Sequence, residues 1–233
     1  MGNVFLLPTI ITLTAVWWVT KTHCPPYFDL VIYCFETHRF FVGGFRFALP
    51  TLATMKPIQL TDKFLQNMAV DAIAYGAKDT GEMGGGAASS ILEAAGPKIL
   101  EAARKEFALL PSKNVGDVVI TDSFNLKKRG IKFVFHLISI IKYTPQGAYC
   151  PSPEKLYDGV FKSIQLAYDK GARSIAFSAM GTGEGRVKPE HCARLMINAA
   201  KDFRKRMPNK KIDIYFSLPS CRDYNAFRDY LFG

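Results

Sequence analysis

The chain lacks the sequence features of the common metal-binding and nucleotide-binding classes. Its five cysteines are odd in number and far apart, with no CxxC pair and no histidine at metal-ligand spacing. No Gly-Lys-Ser/Thr ends a glycine-rich segment, which argues against a Walker phosphate loop. No GxGxxG fingerprint occupies the first strand-to-helix turn, which argues against a Rossmann fold. We therefore expect no metal and no bound cofactor, and the scattered thiols favour the cytoplasm.

The length and composition of the chain are those of a folded globular domain. The chain has 233 residues, of which 48% are hydrophobic and 21% charged, as expected for a globular protein. The formal net charge of +10 favours anionic partners: nucleotides, nucleic acid or an acidic membrane surface. The lysines and arginines are scattered rather than gathered in one stripe, so charge alone does not choose among these partners.

The first 54 residues differ in composition from the rest. The stretch 4–20 is uncharged and nearly all apolar, but it is shorter than the roughly 20 residues that cross a bilayer. Residues 25–54 are rich in aromatic side chains, and ordinary globular patterning begins at Met55. Two interpretations stay open: a membrane anchor formed by 4–20, or an over-extended reading frame with the true start at Met55. In both, the domain boundary falls between 1–54 and 55–233.

From Met55 onward, strand-like and helix-like segments alternate. Short apolar runs such as VDAIAYGA and KIDIYFS are typical of strands that are covered on both faces. This alternation predicts a three-layer α/β/α sandwich with a mixed, largely parallel sheet. The patterns predict strands at 70–77, 116–121, 131–138, 173–179 and 211–217, and helices at 87–108, 154–170, 189–206 and 221–231.

Two glycine clusters follow predicted strands and precede predicted helices. Gly84-Gly85-Gly86 follows the run 70–77, and the segment GTGEGR at 181–186 follows 173–179. Glycine allows backbone N–H groups to approach and point at a phosphate, and the carboxyl ends of the strands in such a sheet are where ligands bind. Two such loops suggest a ligand with two phosphates.

The ordered set of segments resembles the macro domain, an ADP-ribose-binding α/β/α module. The resemblance covers about residues 56–232 and includes VDAI, the GGG helix start, GDVVIT, a strand ending in His136, and SIAFSAMGTG followed by a PEHCAR helix. It implies that the first glycine loop wraps the distal ribose and one phosphate, while the amides of the later loop hold the diphosphate.

Carried over residue by residue, the resemblance implies a set of ligand-binding positions. The two loops would be formed by Gly84, Gly85, Gly86 and Ala87, and by Gly181, Thr182, Gly183, Glu184, Gly185 and Arg186. Asp62 is the candidate for the adenine amino group, or alternatively a helix N-cap. Pro219 occupies the adenine-stacking position, where its ring can cover a base without offering a π face. Arg186 is either a two-pronged phosphate clamp or an exposed loop residue.

The sequence departs from the family where hydrolysis would occur. The usual Asn-Ala-Ala-Asn is replaced by Tyr-Gly-Ala-Lys at 75–78, and the aspartate and histidine of one hydrolytic branch are replaced by Ala88 and Leu92. Alanine and leucine cannot orient a water molecule, so we expect this branch's mechanism to be absent. Replacement chemistry would fall to Lys78, Asp79 or Glu82.

Three functional hypotheses follow from the sequence. The first is a module that binds ADP-ribose, free or attached to a macromolecule, without hydrolysing it. The second is an ADP-ribosyl or O-acetyl-ADP-ribose hydrolase with a rearranged site. The third is a basic protein that binds nucleic acid or poly-ADP-ribose. A membrane would be a partner only if the segment 4–20 is a genuine anchor.

Overall fold

A computed structural model describes residues 56–144 and 147–233, and both the segment 4–20 and the aromatic stretch 25–54 lie outside the described residues. The described strands are β1 (Gln59–Thr61), β2 (Ala72–Lys78), β3 (Val118–Asp122), β4 (Phe133–Thr144), β5 (Gly147–Tyr149), β6 (Ser174–Ser178) and β7 (Asp213–Ser217). The described helices are α1 (Gly86–Ala95), α2 (Lys98–Ala108), α3 (Lys155–Asp169), α4 (Pro189–Arg206) and α5 (Cys221–Phe232), with short 3-10 turns at Leu65–Asn67 and Phe124–Arg129. None of these helices is both long and apolar enough to cross a membrane.

The strands form one mixed sheet in the order β1-β7-β6-β2-β4-β3, with β5 paired to the far end of β4. Along the sheet, the neighbouring strands β1, β7, β6, β2 and β4 all pair in parallel. Strands β3 and β5 run antiparallel to β4. The carboxyl ends of the parallel strands therefore share one edge of the sheet, where sheets of this type place their ligands.

Strand β2 lies at the centre and separates two hydrophobic cores. Its alternate side chains point to opposite faces: Ala72 and Ala74 pack with α3, α4 and α5, whereas Ile73, Tyr75 and Ala77 pack with α1 and α2. The three-layer sandwich predicted from the sequence is confirmed. In α3, the four residues with helical spacing, Leu156, Val160, Ile164 and Ala167, are all fully buried.

Two predicted elements have different boundaries in the structure. The single helix predicted at 87–108 is wrong, because Gly96 at φ +87° and Pro97 separate α1 from α2. The Gly96 N–H bonds to the Leu92 carbonyl, and proline cannot continue the hydrogen-bonding pattern. The strand predicted at 131–138 continues to Thr144, because its distal end pairs with β5 instead of with β2.

A buried polar group joins the three strands β3, β4 and β2. His136 is fully buried; its Nδ1 lies 2.6 Å from the Tyr75 hydroxyl, and its Nε2 lies 2.8 Å from Thr121 Oγ1. A neutral imidazole donates to one hydroxyl and accepts from the other, so all three side chains are satisfied. Burial lowers the pKa of His136 to about 3 and raises the pKa of Tyr75. His136 is therefore a packed core residue and does not line the cavity described below.

This buried imidazole predicts an acid-dependent loss of stability. Protonation occurs near pH 6.5 in the unfolded chain and near pH 3 in the folded chain, so between these values only the unfolded chain gains the proton. The native protein should then lose up to about 1.4 kcal/mol of stability per pH unit as the pH falls. His136→Gln should cost about 1–3 kcal/mol near neutral pH, because it removes a matched hydrogen-bond partner, and this deficit should shrink in acid.

Urea unfolding of the native chain and the variant between neutral pH and about pH 4 measures this effect. Thr121→Val is the control, since it removes one hydrogen bond but keeps the buried imidazole and therefore the acid dependence. A deficit of His136→Gln that stays constant across the pH range would contradict burial of a neutral histidine.

Candidate functional site

The two glycine clusters lie on opposite sides of one cavity of about 380 Å³ at the carboxyl edge of the sheet. Its floor is formed by the ends of the parallel strands, through Gly76 and Lys78 of β2, Ser178 of β6 and Ser217 of β7. Strand β4 also reaches the floor, through Ser139 and Ile140, which lie beside the end of β2. The expectation that both loops meet at this edge is confirmed by the geometry.

The first side of the cavity is the start of helix α1. Gly84, Gly85, Gly86, Ala87 and Ala88 all line it. Gly86 begins the helix at φ +55°. As at the start of any α-helix, the first N–H groups of α1 have no partner within the helix. The partial positive charge of a helix N-terminus favours an anion at this place.

The second side is formed by Gly181, Thr182, Gly183 and Glu184. The loop is held by its own backbone: the Val187 N–H donates to the Gly181 carbonyl, and the Arg186 N–H donates to the Gly183 carbonyl, both at 3.0 Å. Helix α4 begins only at Pro189 and does not line the cavity, so any anion here meets the amides of the loop rather than a helix terminus.

Gly183 and Gly185 have different roles in this loop. A Cβ added to Gly183 would meet no atom within 4 Å, so that side of the residue faces open space, and Gly183 is one of the residues that line the cavity. A Cβ added to Gly185 would lie 2.7 Å from the Gly181 carbonyl oxygen. Gly185 is buried and does not line the cavity. It therefore allows the loop to close on itself, while Gly183 leaves room for a ligand.

The far end of the cavity lies between β7 and α5. Leu218, Pro219 and Ser220 line it together with Asp223, which is only 8% exposed. Thr182 Oγ1 donates to Asp223 Oδ2 at 3.3 Å, and Arg222 donates both to Asp223 Oδ1 and to the Thr182 carbonyl. These contacts attach the second glycine loop to the first turn of α5.

The charged side chains that line the cavity are paired. Lys78 Nζ lies 2.8 Å from Glu184 Oε2, an ion pair that joins the end of β2 to the second glycine loop. Glu82 accepts three hydrogen bonds from Arg104, at 3.0 to 3.2 Å. Among the described residues, no group of three or more His, Cys, Asp or Glu side chains is arranged to hold a metal ion.

Most of the residues predicted from the sequence line the cavity, but four do not. Asp62 is exposed just beyond β1, and it does not cap the 3-10 turn, which begins at Leu65 after Phe64. Arg186 adopts φ +56°, and its Nη2 lies near Gly147 of β5. Gly185 packs inside its loop, and Asp79 follows β2 outside the lining.

Two polar residues of the cavity have no local sequence signal. Ser139 lies on β4, and Asp223 lies on α5, far along the chain from the glycine loops. A serine inside an apolar strand and an aspartate in a first helical turn are ordinary in isolation. Only the pairing of β4 with β2 and the docking of α5 bring them to the cavity.

Solved structures with this fold contain ADP-ribose or ADP. The Trypanosoma brucei macrodomain in complex with ADP-ribose is 20% identical, with a TM-score of 0.63, over 75% of this chain and 69% of that one. The Oceanobacillus iheyensis macrodomain with ADP is 23% identical, with a TM-score of 0.64, over 75% of this chain and 89% of that one. These similarities establish the fold.

Sequence comparison agrees with the fold. The chain is 31% identical over 162 residues to an O-acetyl-ADP-ribose deacetylase of Citrobacter koseri, which covers 69% of this chain and 88% of the relative. The Macro domain family model matches residues 75–196, more than half of the chain. The match begins in β2 and ends in α4, so it includes both glycine loops. The chain therefore belongs to the macro domain family.

Proposed function

We propose that this protein binds ADP-ribose, free or attached to a macromolecule, in the cavity between its two glycine loops. The observation that carries the proposal is the meeting of the α1 N-terminus and the second glycine loop across one cavity. This arrangement offers two sets of backbone N–H groups to a diphosphate. The neighbouring macrodomain structures with ADP-ribose and ADP support the same class of ligand.

The shape of the cavity suggests how such a ligand lies. The diphosphate would lie between Gly86 and Gly183, with the distal ribose toward Lys78 and the first loop. The adenine would then lie at the end formed by Leu218, Pro219 and Ser220. In this arrangement Pro219 covers one face of the base by apolar contact. Asp62 stays a predicted adenine contact, which would require movement of its side chain toward the cavity.

Hydrolysis is the second candidate function, and the name of the Citrobacter koseri relative favours it. The side chains that could act as a general base are poorly placed for hydrolysis. Lys78 and Glu82 line the cavity but are held in ion pairs, and Asp79 is not part of the lining. A general base must reach the proton that it removes, and none of these groups is positioned by the cavity for that purpose. Release of ADP-ribose from a modified protein by the native chain, and its loss in Asp79→Ala, would favour the hydrolase.

Binding of nucleic acid or poly-ADP-ribose is distinguished by its salt dependence. A polyanion releases counterions when it binds, so its affinity falls steeply as salt rises, whereas a ligand held by backbone amides loses affinity mildly. Calorimetric titrations with ADP-ribose and with single-stranded RNA at two salt concentrations therefore separate the two classes of partner.

We also propose that the ligand-binding unit is 55–233. Strand β1 begins at Gln59 and pairs with β7 at the sheet edge, and Lys56 Nζ forms an ion pair with Asp213 at 3.0 Å. The fold therefore uses the chain almost from Met55 onward. A fragment 55–233 that is insoluble, or that melts well below the full chain, would contradict this boundary.

Gly183→Val tests directly whether the ligand lies between the two glycine loops. Gly183→Val should lower the affinity for ADP-ribose by at least about tenfold, which is about 1.4 kcal/mol, because the new side chain would fill the space left for the ligand. The fold should be unaffected, since no atom lies within 4 Å of the added Cβ. Calorimetry measures the affinity, and thermal unfolding of the free protein verifies the fold.

Gly185→Ala provides the contrasting variant. Its added methyl would meet the Gly181 carbonyl, so we expect a lower melting temperature.

Two outcomes would contradict these expectations. If the native chain binds ADP-ribose and Gly183→Val binds it with unchanged affinity, the ligand lies elsewhere. An absence of binding by the native chain would contradict the proposed function itself.

A further prediction concerns the ion pair between Lys78 and Glu184. Glu184→Gln should raise the affinity for ADP-ribose about threefold to tenfold at low salt, because it removes a negative charge from an anion site and leaves Lys78 free to face the diphosphate. The gain should diminish as salt is added. Titrations of the native chain and the variant over a range of salt concentrations measure it.

The control is Asp169→Asn, which breaks the ion pair with Lys210, 2.6 Å long, near the opposite edge of the sheet. It changes the net charge equally and should leave the affinity unchanged. A lower affinity in Glu184→Gln would instead indicate that the carboxylate accepts a hydrogen bond from the ligand.

A further inference from the structure

A buried hydroxyl at the floor of the cavity has no hydrogen-bond partner among the described residues. Ser139 is fully buried, and within the described residues nothing is bonded to its Oγ. The residue lines the cavity. Other fully buried serines are satisfied: Ser163 Oγ donates to the Gly159 carbonyl at 2.7 Å, and Ser123 Oγ donates to the Ile131 carbonyl at 2.6 Å. Ser139 is therefore an exception that needs a physical reason.

The strand pairing brings Ser139 to this position. In the parallel register of β2 with β4, Ala77 pairs with Ile138 and Lys78 pairs with Ile140, so Ser139 is passed over. An irregularity of the β-bulge type redirects a side chain and is frequent beside functional sites. Here it occurs where the two strands reach the cavity floor.

Glycine at position 76 provides the room for this side chain. A Cβ built on Gly76 would lie 2.5 Å from Ser139 Oγ and 3.4 Å from the Gly181 backbone nitrogen. The serine hydroxyl and the backbone nitrogen of Gly181, in the second glycine loop, therefore lie close to the same small space beside Gly76. The family pattern has alanine at this position, and an alanine methyl would occupy that space.

The unpaired hydroxyl costs free energy in the empty protein, since a buried polar group without a hydrogen bond is destabilising. A ligand acceptor that arrives in the cavity would remove this cost. The neighbouring amide of Gly181 indicates what kind of acceptor it is, because a hydroxyl donor beside a backbone donor suits an anionic oxygen.

We propose that Ser139 is a ligand-binding residue whose hydroxyl donates a hydrogen bond to a phosphate oxygen of the diphosphate, beside the amide of Gly181. The proposal rests on the proposed function and adds to it a side-chain donor from β4, outside both glycine loops. It also assigns to Gly76 the role of making room for that donor.

The test is Ser139→Ala, titrated calorimetrically with ADP-ribose and with ADP. Loss of a hydrogen bond to a charged oxygen should lower the affinity about tenfold to a hundredfold. The loss should be the same for both ligands, because both contain the diphosphate. The melting temperature of the ligand-free variant should equal or exceed that of the native chain, because the variant has no unpaired buried hydroxyl.

Ser163→Ala is the matched control. It also removes one buried hydroxyl, but that hydroxyl is satisfied on α3, away from the cavity. Its melting temperature should fall by about 2–4 °C, and its affinity for ADP-ribose should stay unchanged.

Three results would overturn the proposal. Native affinity in Ser139→Ala would show that the hydroxyl does not contact the ligand, with the proposed function intact. A loss confined to ADP-ribose would place the contact on the distal ribose. A fall in melting temperature like that of Ser163→Ala, without loss of affinity, would indicate a structural role. Failure of the native chain to bind either ligand is a separate result, which removes the proposed function together with this inference.

Discussion

The parallel pairing of β2 with β4 determines the position of the central part of the candidate site. Tyr75 is paired directly with His136, and their side chains bond at 2.6 Å inside the hydrophobic core. A slip of one residue would turn these two polar groups to the wrong faces of the sheet and leave them unsatisfied. With the register held in this way, Gly76, Lys78 and Ser139 reach the cavity floor together. Because the first glycine loop follows β2, the position of its first residue is fixed as well.

Much of the architecture follows from local sequence patterns, while much of the site does not. The glycine clusters, the helix 189–206 and the buried face of α3 were all predictable, because each depends on residues within a few positions of one another. The Gly96-Pro97 break was also local, and reading 87–108 as one continuous helix overlooked it. Ser139 and Asp223 were not predictable, since their place in the cavity depends on strand register and on helix docking. Arg186 shows the converse: its sequence position suggested a phosphate contact, but it does not line the cavity, and its Nη2 lies near Gly147.

The charges around the cavity favour recognition by neutral donors. Glu82 is held by Arg104, Glu184 by Lys78, and Asp223 by Thr182 and Arg222. Among the described residues that line the cavity, the donors that would face an anion under the proposed function are the amides of the first turn of α1, the amides of the second loop and the Ser139 hydroxyl. Such donors have fixed directions and release no counterions, so they select geometry more than charge. A basic chain can in this way contain a site for one small diphosphate rather than a surface for any polyanion.

The ends of β2 and β4 contain several departures from regular strand pairing and hydrogen bonding. The strand register skips a residue at Ser139, and a serine hydroxyl and one oxygen of Asp79 are buried without partners among the described residues. The loop between β2 and α1 then contains three consecutive glycines. Each departure lowers the stability of the empty protein, and the large cores on either side of the sheet can tolerate that loss. Under the proposed function, a ligand that accepts from the Ser139 hydroxyl would remove the cost of burying it, since the hydroxyl has no hydrogen-bond partner among the described residues.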